Sequence, residues 1–329
     1  MRHQLIGAAG LFALSVAAPC QAQIGSANQN DNVSGPASVA LTEPMREVVS
    51  ADGLVGELFL PSDGKSKHPA VLVLGGSEGG TRGSSYEARD LARRGFVALA
   101  LAYFGAPGVP EQLVGVPIEY FGRALNFLAG DRRVDPTRIG VMGSSKGAEA
   151  ALLVAATYPQ VRAVVAGVPS SVTWQGIDAK DRMNPGSSWS YEGRPLPFVP
   201  YDMSAPFTSV HDLYARSLAR LGTHQDAIIR VERINGPVML VCGKDDTVWP
   251  SCEMSDAVAS RLKSAKFGHP VEKFSYDRAG HAAFGPPIPD GNPAKSMVFA
   301  LGGDAAGNEA ARADSWARAI AFLHQAIGQ

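Results

Sequence analysis

The stretch that decides the fold is Ile139-Gly140-Val141-Met142-Gly143-Ser144-Ser145-Lys146-Gly147-Ala148-Glu149-Ala150-Ala151-Leu152. A short apolar run leads into a G-x-S-x-G sequence, and small, helix-forming residues follow at once. The order of strand, sharp turn and helix is typical of a nucleophile elbow, in which the serine hydroxyl is exposed above a sheet. Glycines two residues to either side remove side chains that would collide where the chain reverses. Ser145 is therefore the predicted nucleophile.

A second G-x-S-x-G sequence occurs at Gly75-Gly76-Ser77-Glu78-Gly79. It follows the apolar run 70–74, but we predict that residues 80–85 form a loop with no immediate helix. In a chain with 36 glycines a chance match to the motif is expected. The context therefore favours Ser145 over Ser77 as the nucleophile.

The first 22 residues resemble a secretory signal peptide. A short positive start precedes the apolar run Leu5 to Ala18, and Cys20-Gln21-Ala22 forms a small-x-small cleavage site before Gln23. Residues 23–37 are rich in Asn, Ser, Gln and Gly, and we predict a disordered lead-in. The expected location is periplasmic or secreted, and no later stretch predicts a membrane anchor.

The charge balance excludes some partner classes. The chain has 30 Lys and Arg against 31 Asp and Glu, with a net charge of −1. We therefore expect no nucleic-acid partner and no anionic membrane surface. A small-molecule substrate is the expected partner, and the oligomeric state is left open.

Strands and helices alternate through most of residues 38–329, which predicts one α/β domain. An antiparallel pair is expected within 39–61, and the later near-continuous apolar strands predict a mostly parallel sheet with helices on both faces. The predicted later strands are 70–74, 96–103, 138–142, 161–168, 237–242 and 271–276. The predicted helices are 85–94, 118–129, 209–221, 254–265 and 310–327.

The alternation breaks in a segment at about 169–235, which carries several aromatic residues among Gly and Pro. An insertion of this kind between core strands is often a lid over the site. The alternative is a long surface excursion whose aromatic side chains pack on one another.

A serine nucleophile needs a base and an orienting carboxylate. In α/β hydrolases these follow in the chain order serine, acid, histidine. Of the seven histidines, only His281 follows a glycine at the end of a predicted sheet strand. Asp246, three residues after the strand-ending Gly243, is preferred as the acid, and the neighbouring Asp245 is the alternative.

Backbone N–H groups are the expected stabilisers of a substrate oxyanion. The N–H of Lys146 opens the helix after the nucleophile, and the N–H of Ser77 lies in the glycine-rich loop after an early strand. The alternative for that loop is a tight turn with no catalytic part. No cluster of His, Cys and carboxylate residues has metal-ligand spacing, so we predict no metal and no cofactor.

Two cysteines remain after the predicted cleavage, Cys242 and Cys252, and they flank the loop that carries Asp246. In an oxidising compartment a disulfide between them is plausible and would stabilise by roughly 2–3 kcal/mol. The alternative is two separate buried thiols.

Several motifs together resemble a known family. Gly143 to Glu149, Gly243-Lys244-Asp245-Asp246 with Trp249-Pro250-Ser251, and Ala279-Gly280-His281 are similar to the C-terminal domain of acyl-CoA thioesterases and bile acid-CoA:amino acid N-acyltransferases. Residues 101–105, 119–121 and 188–191 resemble its bacterial members, and the resemblance covers about residues 44–322. The acyltransferase members have a cysteine nucleophile, so Ser145 implies hydrolysis with water as acceptor.

The expected function is a serine hydrolase that cleaves an acyl ester or thioester through an acyl-enzyme. Because a secreted protein would seldom meet cytosolic acyl-CoA, the resemblance implies the mechanism more than the substrate. The alternatives are a dienelactone-hydrolase-like enzyme, a peptidase on the same fold, or a non-catalytic binding protein. The candidates for an apolar acyl pocket, each equally compatible with ordinary core packing, are Tyr103, Trp174, Trp189 and Trp249.

Overall fold

The computed structural model describes residues 42–181 and 185–328. The predicted signal peptide (1–22) and the predicted lead-in (23–37) lie outside the described residues, so both stay predictions.

An eight-stranded sheet forms the centre of the described chain, in the order β1-β2-β4-β3-β6-β7-β10-β11. The β1-β2 and β2-β4 pairs are antiparallel, and the remaining neighbours are parallel. The predicted mostly parallel sheet is therefore confirmed. Its strands are β1 (Met45–Val49), β2 (Val55–Leu60), β3 (His68–Leu74), β4 (Val97–Ala102), β6 (Val134–Ser144), β7 (Val161–Gly167), β10 (Val238–Gly243) and β11 (Val271–Tyr276).

Helices cover both faces of this sheet. Those of the described residues are α1 (Arg82–Arg93), α2 (Ile118–Gly130), α3 (Lys146–Thr157), α4 (Val210–Leu218), α5 (Ser251–Ser264), α6 (Ala294–Phe299) and α7 (Ala305–Ile327). Side chains alternate between the faces as the two-residue period of a strand requires. In β3, for example, Leu72 packs in the core under α2 and α3, whereas Val71 and Val73 pack in the core under α1 and α7.

Most predicted elements match these bounds, but α7 begins at Ala305, five residues earlier than predicted. Further differences concern α1, β6 and α6. The helix α1 begins at Arg82, so the prediction of a loop over residues 80–85 is wrong. The strand β6 begins four residues earlier than predicted, because Val134 pairs with His68 across a register shift. The short helix α6 was not predicted at all.

In the segment at about 169–235, the residues that the structure describes form short elements between β7 and β10. Two short strands of the segment, β8 (Trp189–Tyr191) and β9 (Arg194–Pro195), form a separate small sheet with β5 (Val116–Pro117), which precedes α2. Single-turn 3-10 helices follow α4 at Leu221–Thr223, Gln225–Ala227 and Val231–Arg233. The interior of the segment includes Trp174 and Trp189, both with no exposed surface.

The predicted site residues lie at the C-terminal ends of four parallel strands, β3, β6, β10 and β11, which are neighbours in the sheet except that β7 lies between β6 and β10. Gly75 follows β3, Ser145 follows β6, Asp246 lies just beyond β10, and His281 lies just beyond β11. This edge is where ligands bind in open α/β sheets. The fold therefore gathers the predicted site residues at one place.

Candidate active site

Ser145 is the single residue between β6 and α3. Its backbone has φ 57° and ψ −123°, a left-handed conformation that is strained for a residue with a side chain. A side chain on Gly143 would collide with the carbonyl group of Gly147, and one on Gly147 would collide with the carbonyl oxygen of Leu74. The two glycines of the motif therefore permit the tight reversal, as the sequence predicted.

One hydrogen-bonded line joins the three side chains predicted to form a triad. Ser145 Oγ lies 2.8 Å from His281 Nε2, and His281 Nδ1 lies 2.8 Å from Asp246 Oδ2. Because a carboxylate only accepts, Nδ1 carries the proton and donates to Asp246, which leaves Nε2 to accept from the serine hydroxyl. This arrangement prepares Nε2 to take the serine proton.

The carboxylate of Asp246 is fully engaged by its own loop. Oδ1 accepts hydrogen bonds from the N–H groups of Val248 (2.9 Å) and Trp249 (3.2 Å), and Oδ2 accepts from Ser251 Oγ (2.6 Å). Its side chain is 3% exposed. The alternative acid, Asp245, is exposed, and it is Asp246 whose carboxylate contacts the histidine.

The loop after His281 is held by a buried arginine of α7. Arg312 donates to the carbonyl oxygens of Ala282 (3.2 Å), Phe284 (2.7 Å) and Pro286 (2.9 Å). Burial lowers the pKa of Arg312 to about 10. On α1, burial raises the pKa of Glu87 to about 8, although the positive charge of Arg312 opposes the rise. Sequence reasoning missed both residues because they are distant in the chain from His281.

The oxyanion side is built from backbone. Lys146 is the first residue of α3, where N–H groups have no partner within the helix and the helix dipole favours negative charge. In the loop after β3 the N–H of Gly76 donates to Glu78 Oε1 at 3.1 Å. Ser77 is exposed at the tip of the same loop. Its N–H stays the predicted second donor.

Glu78 is a site residue that the sequence did not indicate. A side chain on Gly76 would meet both Glu78 Oε2 and the Cβ of Ser145, so the carboxylate and the nucleophile border the same space. The residue as a whole is exposed, yet desolvation of its carboxylate raises the pKa. Hydrogen bonds from the backbone N–H groups of Glu78 and Gly76, and the charge of His281, oppose the rise. The only feature of the sequence that could have indicated a role for Glu78 is the position of an acidic residue inside a glycine-rich loop.

A buried charged cluster lies beneath the elbow. Lys146 Nζ pairs with Glu149 Oε2 at 2.7 Å and donates to Ser188 Oγ at 2.9 Å. Glu149 Oε1 accepts from the indole N–H of Trp189 (2.6 Å) and the backbone N–H of Trp174 (3.0 Å). Burial lowers the pKa of Lys146, and the charge of Glu149 opposes that change. In the sequence, this buried pair could have been indicated by a Lys and a Glu at positions i and i+3 of an otherwise apolar helix.

The four aromatic residues suggested for an acyl pocket do not line an open surface. Each is at most 2% exposed, because each packs in the core with its polar atom bonded inside the protein. The partners are the Gly75 carbonyl oxygen for Tyr103, Ser170 Oγ for Trp174, Glu149 for Trp189 and the Val168 carbonyl oxygen for Trp249. Their burial favours core packing around the site, the alternative that the sequence left open.

A disulfide joins Cys242 at the end of β10 to Cys252 in the first turn of α5. It closes the loop that carries Asp246. Within residues 42–181 and 185–328, no group of three or more His, Cys, Asp or Glu side chains is placed to hold a metal ion. The same residues contain no helix with the length and apolar character needed to cross a bilayer.

Comparison with known proteins identifies the family. Residues 116–329 match the family described as BAAT/acyl-CoA thioester hydrolase C terminal, which is more than half of the chain. The chain belongs to this family. Two family relatives from Homo sapiens are each 28% identical to it over 295 residues, or 86% of this chain. They are acyl-coenzyme A thioesterase 1 and the mitochondrial acyl-coenzyme A thioesterase 2.

A third relative of the BAAT/acyl-CoA thioester hydrolase family is an acyl-coenzyme A amino acid N-acyltransferase from Mus musculus. It is 28% identical over 291 residues, which cover 86% of this chain. The matched region spans less than two thirds of each relative, at 66% for thioesterase 1 and for the acyltransferase, and 57% for thioesterase 2.

Solved structures show the α/β-hydrolase fold for this family member. A puromycin-hydrolysing peptidase from Mycobacterium tuberculosis superposes with a TM-score of 0.57 and 17% identity, covering 89% of this chain and 40% of the peptidase. A dienelactone hydrolase-like phosphotriesterase from metagenomic libraries gives a TM-score of 0.53 and 18% identity, covering 87% of this chain and all of the other. At these identities the likeness concerns the fold alone.

Proposed function

We propose that this protein is a serine hydrolase that cleaves acyl esters or thioesters through an acyl-enzyme. The observation that carries the proposal is the continuous line from Ser145 Oγ through His281 to Asp246, with 2.8 Å at both hydrogen bonds. This line supplies a nucleophile, a base and an orienting acid within bonding distance of one another. The thioesterase names of the relatives support the acyl substrate class.

In the first half-reaction, Ser145 Oγ attacks the carbonyl carbon while its proton passes to His281 Nε2. Asp246 stabilises the imidazolium that forms and keeps the ring oriented. The carbonyl oxygen becomes negative and accepts hydrogen bonds from the N–H groups of Lys146 and Ser77. The imidazolium then gives its proton to the leaving alcohol or thiol, which leaves an acyl group on Ser145.

In the second half-reaction, a water molecule gives a proton to His281 Nε2 and attacks the acyl carbon. The same N–H groups stabilise the second tetrahedral intermediate, and the proton returns from the imidazolium to Ser145 as the carboxylic acid departs. The serine and the histidine are thereby regenerated.

The test is turnover of p-nitrophenyl esters, acyl-CoA thioesters and aminoacyl amides by wild type and Ser145→Ala. We expect one class to be turned over, and the variant to lose at least about 10³-fold in kcat. Ser144→Ala is the matched control, because it removes the neighbouring hydroxyl of the same turn and should keep turnover. Full activity in Ser145→Ala, or no reaction of the wild type with any substrate or with a fluorophosphonate, would contradict the proposal.

We also propose that the protein is exported to an oxidising compartment. Two features support this: the signal-like residues 1–22 and the disulfide that closes the Asp246 loop. N-terminal sequencing of the protein recovered from a periplasmic or culture fraction should begin at Gln23. An uncleaved chain recovered from the cytoplasm would contradict export.

A further inference from the structure

The two halves of the predicted oxyanion hole are supported from below by the same group of buried side chains. This group, named here the elbow cluster, consists of Tyr103, Lys146, Glu149, Ser188 and Trp189. Four of its members have at most 1% exposed surface, and Tyr103 has 2%. None of them reaches the cleft, so they can act on the reaction only through the backbone they hold.

One half is held through α3. Lys146 offers its backbone N–H to the site, while its side chain turns into the interior and pairs with Glu149, one helical turn along. The ammonium also lies 5.4 Å from the centre of the Trp189 ring. These contacts fix the first turn of the helix, and with it the direction of the Lys146 N–H.

The other half is held through the loop after β3. The hydroxyl of Tyr103 donates to the carbonyl oxygen of Gly75 at 2.7 Å. The ring of Tyr103 packs against Trp189, with 5.8 Å between ring centres. Because the Gly75 peptide leads directly into the residues that carry the second predicted donor, its orientation sets where that donor points.

Trp189 connects the two halves and comes from the inserted segment. Its indole N–H donates to Glu149 at 2.6 Å, and its ring touches Tyr103. Ser188 provides a second contact from the same segment. Its hydroxyl accepts a hydrogen bond from Lys146 Nζ and donates one to the carbonyl oxygen of Gln175. At Ser188 and Trp189 the inserted segment is therefore held in place by buried contacts and supports the turn that carries Ser145.

We propose that Trp189 is a positioning residue for the oxyanion hole, and that the elbow cluster holds the N–H groups of Lys146 and Ser77 at a fixed separation. The inference rests on the proposed function, since it assigns a role in stabilising the oxyanion. A small displacement of one N–H donor weakens its hydrogen bond to the oxyanion. The transition state therefore loses more stabilisation than the bound substrate does.

The charged members of the cluster are poor targets for substitution, because removing either leaves an unpaired buried charge and can unfold the protein. Trp189→Phe removes only the indole N–H and part of the ring. Trp316→Phe is the matched control: Trp316 is also buried and also donates its indole N–H to a carboxylate at 2.6 Å, that of Asp90, on the opposite face of the sheet.

The experiment measures kcat and KM for a p-nitrophenyl ester, the inhibition constant of a trifluoromethyl ketone, and the thermal unfolding midpoint. The ketone adds to the serine and places a negative oxygen in the oxyanion hole. For Trp189→Phe we expect kcat to fall about tenfold, KM to stay within about twofold, and ketone affinity to fall by the same factor as kcat. Trp316→Phe should lower the midpoint with kcat unchanged.

A second variant, Tyr103→Phe, removes the hydrogen bond from the Tyr103 hydroxyl to the Gly75 carbonyl oxygen. Combined with Trp189→Phe, it should cost less in kcat than the product of the single losses, because both changes loosen one cluster. Independent losses would overturn the proposal, as would a Trp189→Phe variant with a lowered midpoint and normal kcat. Wild-type turnover in the same assay separates these outcomes from failure of the proposed function, which removes turnover from every variant.

Discussion

The two sides of Ser145 are built on different principles. On the predicted acid–base side, the side chain of His281 hydrogen-bonds to both Ser145 and Asp246, and loop N–H groups hold the Asp246 carboxylate. On the oxyanion side, the predicted donors are backbone N–H groups, and the side chains that hold them lie in the interior. A substitution on the first side removes a reacting group, whereas one on the second only displaces a donor. The losses should therefore differ by orders of magnitude.

The largest expected effect is on the acid–base side. Asp246→Asn keeps the shape of the side chain but can donate to His281 and favour the wrong tautomer, so kcat should fall about 10³-fold to 10⁴-fold. Steady-state kinetics with a p-nitrophenyl ester measure the loss. Asp245→Asn is the control, because that neighbouring carboxylate is exposed. A greater loss in Asp245→Asn would reverse the assignment of the acid.

A smaller loss is expected where a side chain acts on the histidine only through its loop. Arg312→Met removes the donor to three carbonyl oxygens after His281, so kcat should fall about tenfold to 100-fold and the free energy of unfolding by about 2–4 kcal/mol. Kinetics and denaturant unfolding measure the two effects. Arg318→Met changes a half-exposed arginine of the same helix and should change neither by much. Equal effects from the two variants would show that Arg312 has no special part in holding the loop.

Substitution of Glu78 should change kcat/KM several-fold, by an amount that depends on pH. Its raised pKa means that it loses its proton above the usual value of 4.5 for this group, which places a negative charge beside the developing oxyanion. The groups that interact with this carboxylate are His281, Glu87 and Tyr103. The kcat/KM of Glu78→Gln relative to wild type should therefore rise as the pH increases above 4.5.

The control for that comparison is Glu253→Gln, which removes an exposed carboxylate on α5. Its kcat/KM relative to wild type should not change with pH. A constant ratio for Glu78→Gln as well would show that the Glu78 charge does not reach the oxyanion side.

The smallest expected effect on catalysis is at Glu87, whose charge interacts with both Arg312 and Glu78. With a folded pKa of about 8 against the usual 4.5, the folded protein binds more protons than the unfolded chain between those values. Wild-type stability should therefore fall as pH rises from 4.5 to 8, by up to about 1.4 kcal/mol per pH unit. Denaturant unfolding of Glu87→Gln at pH 5 and pH 8 should show a smaller fall, and the raised pKa of Glu78 contributes to the part that remains. An equal slope in both proteins would assign the dependence to other groups.

The features of this protein that could be predicted from sequence are those that depend on residues close together in the chain. The elbow around Ser145 combines glycine spacing, an apolar run and a helix in adjacent residues, and Asp246 and His281 each follow a recognisable strand. The elbow cluster could not be found that way, because Trp189 lies 40 residues from Glu149. Which way a buried aromatic ring faces depends on tertiary packing, and for the same reason the sequence could not decide between pocket and core for the four aromatic residues.

The covalent closure of the Asp246 loop has a consequence for how the protein responds to proteolysis. A protease that cut the backbone between Cys242 and Cys252 would leave both new ends attached through the disulfide. Asp246 would remain attached by its backbone to β10 or to α5, depending on the position of the cut, and the disulfide would keep these two elements joined. Such a nick would be invisible on a non-reducing gel and would appear as two fragments only after reduction.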